Sequence, residues 1–186
     1  MSIRPFLYGL FNFAEGNISF LSDNIKVFLA SSSYTPNTGA AGDEYLASVP
    51  GGAIVATSGN LASKTDSGGT LDAANLVFSS VSGSTVTQFA MYTDTGSGST
   101  SPLMFLWDTA VNLPVVPNGG NITIQWAGSP NYIATLFEDM CPQDQELVRR
   151  LGKRRLLDLL RDGVGIVVDL ANSGGLWFPV PQVFQE

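Results

Sequence analysis

Histidine is missing from this 186-residue chain, cysteine occurs once, and charged residues make up only 13% of it. Without histidine there is no Ser-His-Asp or Cys-His catalytic site. Histidine-based metal sites fall on the same ground. A lone Cys141 excludes an intrachain disulfide and a cysteine zinc cluster. Lys and Arg number nine against sixteen Asp and Glu, a net charge of −7, which argues against nucleic acid as a main partner, since phosphate binding needs concentrated basic residues. No apolar run approaches the roughly 20 residues of a membrane span. The apolar patch from Phe6 to Phe13 is followed by Glu15 with no small-residue cleavage site, so no secretory signal is expected.

What is present is apolar and turn-rich: 44% hydrophobic residues, 20 glycines and 10 prolines. Average globular chains carry about 25% charged residues. A surface this poor in charge and rich in Gly, Ser and Thr suits a protein packed against neighbours, or equally a β-rich domain with many turns. The charges are unevenly spread. Residues 1–135 hold three basic residues (Arg4, Lys26, Lys64) and eight acidic ones, whereas five of the remaining six basic residues fall between Arg149 and Arg155. We therefore divide the chain near Tyr132 to Cys141, into a β domain over 1–135 and a helical appendage with an extended C-terminal arm over 136–186.

In the first part, Phe6, Leu10 and Phe13 recur at helical spacing, which predicts a short helix from Pro5 to Ala14 stopped by Gly16. Ile25, Val27 and Leu29 alternate with Lys26 and Phe28, the pattern of a strand, and Pro36 ends it within Tyr34-Thr35-Pro36-Asn37. Ala53 to Thr57 and Leu61 to Thr65 flank Ser58-Gly59-Asn60 and read as a hairpin. Further strands are expected at Leu76 to Ser80, at Thr85 to Thr93 and at Leu103 to Trp107, the last buried on both faces. Asn118-Gly119-Gly120 is a turn with permissive φ, followed by cleanly alternating Ile122, Ile124 and Trp126. Many short strands at close spacing predict a mainly β fold, a β-sandwich or partly closed barrel.

The second part differs. Pro142 stands where a first helical residue would, Asp144 and Glu146 follow in the first turn, and leucines recur at helical spacing through Leu160. Val164 to Leu170 is strand-like. Leu176 to Glu186, with Pro179 and Pro181, reads as an extended apolar arm that prolines keep out of any interior strand. Exposed aromatics mark interfaces, so Trp177, Phe178, Val180 and Phe184 are expected to bury against another chain, and truncation after Gly175 to leave the β domain folded. The basic cluster Arg149, Arg150, Lys153, Arg154 and Arg155 reads first as a solvated helix face, next as a contact for an acidic neighbouring subunit and last as a nucleic-acid contact.

The chemistry that composition leaves open is a carboxylate pair. Asp43, Glu44, Asp66, Asp72, Asp94 and Asp108 are the candidates. They stand in turns or at strand ends, where acidic residues cap or solubilise, so neither enzyme activity nor a cofactor is expected. Asp94, Gly96 and Gly98 have too few acidic companions for a calcium loop, and turn chemistry explains them. Asn121-Ile122-Thr123 is formally a glycosylation sequon, discounted because Ile122 reads as buried.

Taken in order, several of these segments resemble a family of small virion proteins of tailed bacteriophages. They are Leu21-Ser22-Asp23-Asn24-Ile25-Lys26-Val27, Tyr34-Thr35-Pro36-Asn37, the Ala53 to Thr57 hairpin, Val81-Ser82-Gly83-Ser84-Thr85-Val86 and Pro117-Asn118-Gly119-Gly120. The resemblance covers roughly Phe6 to Trp126, and the part from Cys141 onward departs from it. It implies a non-enzymatic structural protein made in the host cytoplasm and ending in the virion. The expected role is capsid decoration or cement, with the major capsid protein and copies of itself as partners in a homo-oligomer. A tail, fibre or adhesin component binding a cell-surface glycan is the alternative.

Overall fold

Strand β2, Ile25–Ala30, explains the rest of the architecture, because it is apolar in both directions. Ile25, Val27 and Leu29 point to one face, Phe28 and Ala30 to the other, and all five are wholly buried. A strand of this kind needs cover on both sides. The computed structural model, which describes residues 3–39, 41–67, 70–126, 133–135 and 182–185, is built of three open antiparallel sheets and one α-helix, and it covers one face of β2 with the two smaller sheets and the other with connecting segments.

The largest sheet has five strands. β2 lies between β3 (Ile54–Thr57) and β7 (Gln88–Thr93), then come β8 (Leu103–Trp107) and β1 (Ile3–Pro5) at the edge. β7 and β8 are buried along their whole length. Phe89 and Met91 join Ile25, Val27 and Leu29 on one face, while Ala90 and Tyr92 join Phe28 and Ala30 on the other. The register between β7 and β8 slips at Met91/Tyr92, where Met91 faces Phe105 and Tyr92 faces Leu103. An extra residue of this kind re-aims the side chains around it. Met104, Phe105 and Trp107 thereby all reach the first face, and Leu103 and Leu106 the second.

Two smaller sheets complete the larger cluster. One pairs β4 (Thr65–Ser67), β5 (Thr70–Asp72) and β10 (Ala134–Thr135), with β5 in the middle; the other pairs β6 (Leu76–Phe78), β9 (Ile122–Gln125) and β11 (Gln182–Gln185), with β9 in the middle. Leu71, Ile133, Leu76, Phe78, Ile122, Ile124 and Val183 bring them into contact with the first face. Trp107 stands at the centre, its ring 5.0 Å from Phe89 and 5.6 Å from Trp126. Each fully buried aliphatic or aromatic side chain here stabilises the fold by about 1.5–3 kcal/mol. Trp126 donates its indole N–H to the Ala74 carbonyl at 3.2 Å.

Helix α1, Leu7–Glu15, closes the β8 side of the large sheet. Gly16 at φ 76° ends it as expected, and the Asn17 N–H folds back to the Asn12 carbonyl at 2.9 Å. Pro5 is not helical: it pairs with Phe105 in β1, and Phe6 donates its backbone N–H to Met104 at 3.0 Å. The helix starts at Leu7, two residues later than expected, because that hydrogen bond holds Phe6 extended.

Two other expectations are corrected. Ala53 to Thr57 and Leu61 to Thr65 do not form a hairpin. β3 pairs with β2, and the chain then continues along β2: Ser58 N–H donates to the Val27 carbonyl at 2.8 Å and Leu61 N–H to the Ile25 carbonyl at 2.7 Å. The Ser58 hydroxyl accepts from the Val27 N–H at 2.9 Å, so a side chain replaces one backbone acceptor and Ser58-Gly59-Asn60 bulges instead of turning back. The arm is the second case. Gln182–Gln185, directly after Pro181, is an edge strand on β9, and Val183 is fully buried in the main cluster of the same chain. A chain ending at Gly175 therefore loses a strand and a core residue. Of the expected boundary near Tyr132 to Cys141, residues 133–135 are described, with β10 pairing β5; the rest of it, the helical appendage and the Val164 to Leu170 strand lie outside the described residues.

Gly9 marks the tightest approach of helix to sheet. A Cβ there would come within 2.2 Å of the Leu103 carbonyl oxygen and 2.9 Å of the Met104 Cα. On an open helix Gly→Ala gains about 1 kcal/mol. Against a backbone that cannot give way, overpacking costs roughly 1–3 kcal/mol and the sign reverses. Gly9→Ala is thus expected to lower the urea midpoint of unfolding; an unchanged or higher midpoint would contradict this packing.

Candidate functional site

Four of the six candidate carboxylates, Asp43, Asp72, Asp94 and Asp108, have identified partners for their side chains. Asp43 accepts the Tyr34 hydroxyl and the Asn37 backbone N–H, each at 2.9 Å, and so ties down the loop that ends β2. Burial, reinforced by the Asp43 hydrogen bond, pushes the Tyr34 phenol far above its ordinary value. Gln88, buried at the start of β7, holds the same turn by donating to the Tyr34 carbonyl at 2.7 Å. Asp72 accepts the Ala73 N–H at 2.8 Å, and Asp108 pairs with the Arg4 guanidinium at 2.5 Å. Asp66 is exposed on β4 and Glu44 on a loop whose carbonyl accepts the Leu103 N–H at 2.9 Å. Among the described residues no three metal-ligating side chains come together.

Asp94 closes the Gly/Ser/Thr loop by turn chemistry. Its Oδ1 accepts the Gly96 N–H at 3.0 Å, and Gly96 takes φ 88°. Ser101 Oγ accepts the Thr95 N–H at 3.1 Å and donates to the Ser97 carbonyl at 2.8 Å. Asp94 Oδ2 receives Lys26 Nζ from β2 at 2.6 Å. The sequon is likewise structural: Ile122 is fully buried, and Asn121 Oδ1 accepts the Ser80 N–H at 3.3 Å.

Among the described residues, an outward row of side chains on one small sheet stands exposed. On the sheet of β6, β9 and β11, Leu76, Ile124 and Val183 face one another on the inner side. The next positions, Val77, Thr123 and Phe184, face one another on the outer side. Residues directly opposite on one face have Cβ atoms about 4.5–5.5 Å apart, so the three form one strip. Val77 is 55% exposed and Phe184 40%. Val111, 44% exposed, belongs to the segment beyond β11, where its carbonyl accepts the Val183 N–H at 3.1 Å and Asn112 Nδ2 donates to the Val183 carbonyl at 3.0 Å. Contiguous exposed apolar surface marks contact sites more than isolated residues do.

Of the residues expected at an interface, Phe184 lies in this strip. Trp177, Phe178, Val180, Arg149, Arg150 and Arg154 lie outside the described residues. Val77 and Thr123 escaped the sequence reading. Leu76-Val77-Phe78 reads as uniformly apolar, and only the pairing with β9 reveals that its middle residue points outward. No family model matches the chain, and no curated protein matches it.

The Lys26–Asp94 pair has a definite pH signature. The Lys26 hydrogen bond, aided by the Gly96 N–H, holds the Asp94 carboxyl below 3.8; the same bond raises Lys26 above 10.5. The depressed carboxyl stabilises the fold above pH 3.8 and loses that contribution as pH falls through its folded value, while the raised amine does so below pH 10.5 and loses it as pH rises through its own. Asp94→Asn is expected to cost about 0.5–1 kcal/mol near neutral pH, as a partly solvated pair does. The difference from the unaltered protein, followed by urea unfolding across pH, should close in acid. A difference that stays constant down to the lowest pH would contradict the ionic account.

Proposed function

We propose that this protein is a non-enzymatic structural component of a tailed-phage virion, a capsid decoration or cement protein built as a β-sandwich with a C-terminal appendage. The observation that carries the reading is the Val77–Thr123–Phe184 strip, an apolar face left outward by a sheet whose other side is already buried in the core. The motif order supports it. Ile25-Lys26-Val27 opens the strand on which the fold is built, and Tyr34-Thr35-Pro36-Asn37 forms the turn anchored on Asp43. The described carboxylates with identified partners hold turns and ion pairs, consistent with a mechanical role.

In this reading many copies bury apolar surface against the shell and against each other. A protein that binds the assembled shell and not the free coat subunit shifts the shell toward the intact state by mass action. Apolar contact is only weakly sensitive to salt, unlike exposed charge pairing. The basic cluster from Arg149 to Arg155 is the element that would add a salt-dependent anchor on an acidic coat surface.

The test uses particles stripped of the protein and reloaded with the unaltered chain or with Val77→Ser/Phe184→Ser. Exposed substitutions of this kind shift stability by about 0.5 kcal/mol or less, so the variant is expected to melt like the parent in isolation. Reloading the parent should raise the temperature of genome release, at low and raised ionic strength alike, and the double variant should fail to do so. Full restoration by the double variant would overturn the role of the strip. Release curves unaffected by the parent protein would overturn the cement reading and favour the tail.

A further inference from the structure

The turn that leads into β9 contains the chain's single Asn-Gly pair, Asn118-Gly119. Asparagine is a thermolabile residue. It is most reactive before glycine, where no side chain hinders the following backbone nitrogen. The fold demands this pair for its own reasons. Gly119 takes φ 88°, a conformation that side chains disfavour. The exposed Asn118 side chain accepts the Gly120 N–H on Oδ1 at 2.8 Å, which closes the turn.

The same turn is strapped to the segment before β7. Gly119 donates its N–H to the Val81 carbonyl at 2.9 Å, and Val81 returns its own N–H to the Gly120 carbonyl at 2.9 Å. A few residues away Val86 and Val115 exchange two hydrogen bonds, at 2.8 and 2.9 Å. Val81 and Val115 are buried, so opening this ladder exposes apolar surface. The nitrogen that would attack Asn118 is thus the one held by Val81.

We propose that Asn118 is a latent site of spontaneous deamidation, held unreactive by the Gly119–Val81 hydrogen bond and released when the ladder opens. In the reaction the Gly119 nitrogen loses its proton and bonds to the Asn118 side-chain carbonyl carbon. The bond to Nδ2 breaks and ammonia leaves, giving a five-membered imide. Water then opens the ring at either carbonyl, leaving aspartate or isoaspartate at position 118. No oxidation or reduction occurs, and water is the sole co-reactant. While Gly119 N–H points at Val81, its proton is engaged and the nitrogen is fixed by the strap. After reaction, a new carboxylate adds to a net charge that is already −7. The isoaspartate form also inserts a backbone carbon between Asn118 and Gly119, which puts Gly119 and Gly120 out of register with Val81. The opening is then not reversible. The turn therefore records how often this ladder has opened.

The full-length protein is incubated at mildly alkaline pH, folded and in denaturing urea, and deamidation at each asparagine is followed by peptide mass mapping. In the unfolded chain Asn118 should react ahead of every other asparagine. In the folded protein its rate should be at least about tenfold lower, the factor for an opening free energy of about 1.4 kcal/mol. Val81→Ala should raise the folded-state rate severalfold and leave the denatured rate unchanged. Should that variant fail to fold, urea below the global transition replaces it, and the rate at Asn118 should climb before other probes change. Equal rates in folded and unfolded protein overturn the proposal, as does slow reaction of Asn118 in the unfolded chain. A folded-state rate that neither Val81→Ala nor sub-transition urea alters would also overturn it.

Discussion

Two-sided burial of β2, β7 and β8 is the constraint on which the rest of this structure depends. Val27 and Phe28 are neighbours in sequence, yet they lie in different apolar clusters on opposite faces of one sheet. The first face is covered by the two smaller sheets, through Leu71, Ile122, Ile124 and Val183. The second is covered by Phe6, Tyr34, Val49 and Ala53, which lie in connections and not in a layer of strands. Such connections need internal order to act as cover. Asp43 tying Tyr34 to Asn37, Gln88 holding the Tyr34 carbonyl, and Ser31 N–H donating to Ala53 at 2.9 Å provide it. Asp43 and Gln88 thus hold irregular backbone against an apolar face.

The reach of the sequence reading follows from the same physics. Local signals were legible where one residue decides the outcome: Gly16 ending α1, Gly119 and Asn118 forming a turn, the continuous run Leu103 to Trp107 lying buried throughout, and Ile122 alternating with Thr123. Pairing partners were not legible. Ser58-Gly59-Asn60 has hairpin composition, but the choice between turning back and bulging along β2 was made by the Ser58 hydroxyl and by burial of Leu61, both long-range contacts. The prolines of the arm argue against an interior strand, which leaves an edge open, and β11 is an edge strand.

The candidate surface was legible only in part, for a related reason. Phe184 was singled out by its apolar surroundings, whereas Val77 looked like any core residue. What makes them one strip is register: Phe184 and Val77 both oppose Thr123 from either side of β9. A shift of one residue between β6 and β9 would bury Val77 and expose Leu76, and one between β11 and β9 would bury Phe184 and expose Val183. Surface and core are therefore set by the same alignment. The proposed role as a contact protein rests on a property of the sheet as a whole.

Native-state amide hydrogen exchange tests the central claim most directly. If the doubly buried strands organise the fold, amides of Val27 to Leu29, Phe89 to Met91 and Phe105 to Leu106 should exchange only through global unfolding, with free energies matching that from denaturant titration. Amides of Thr65 to Ser67, on an exposed three-residue strand, should exchange orders of magnitude faster. Uniform protection across both groups, or earlier opening of β2 and β7 than of the smaller sheets, would contradict the account.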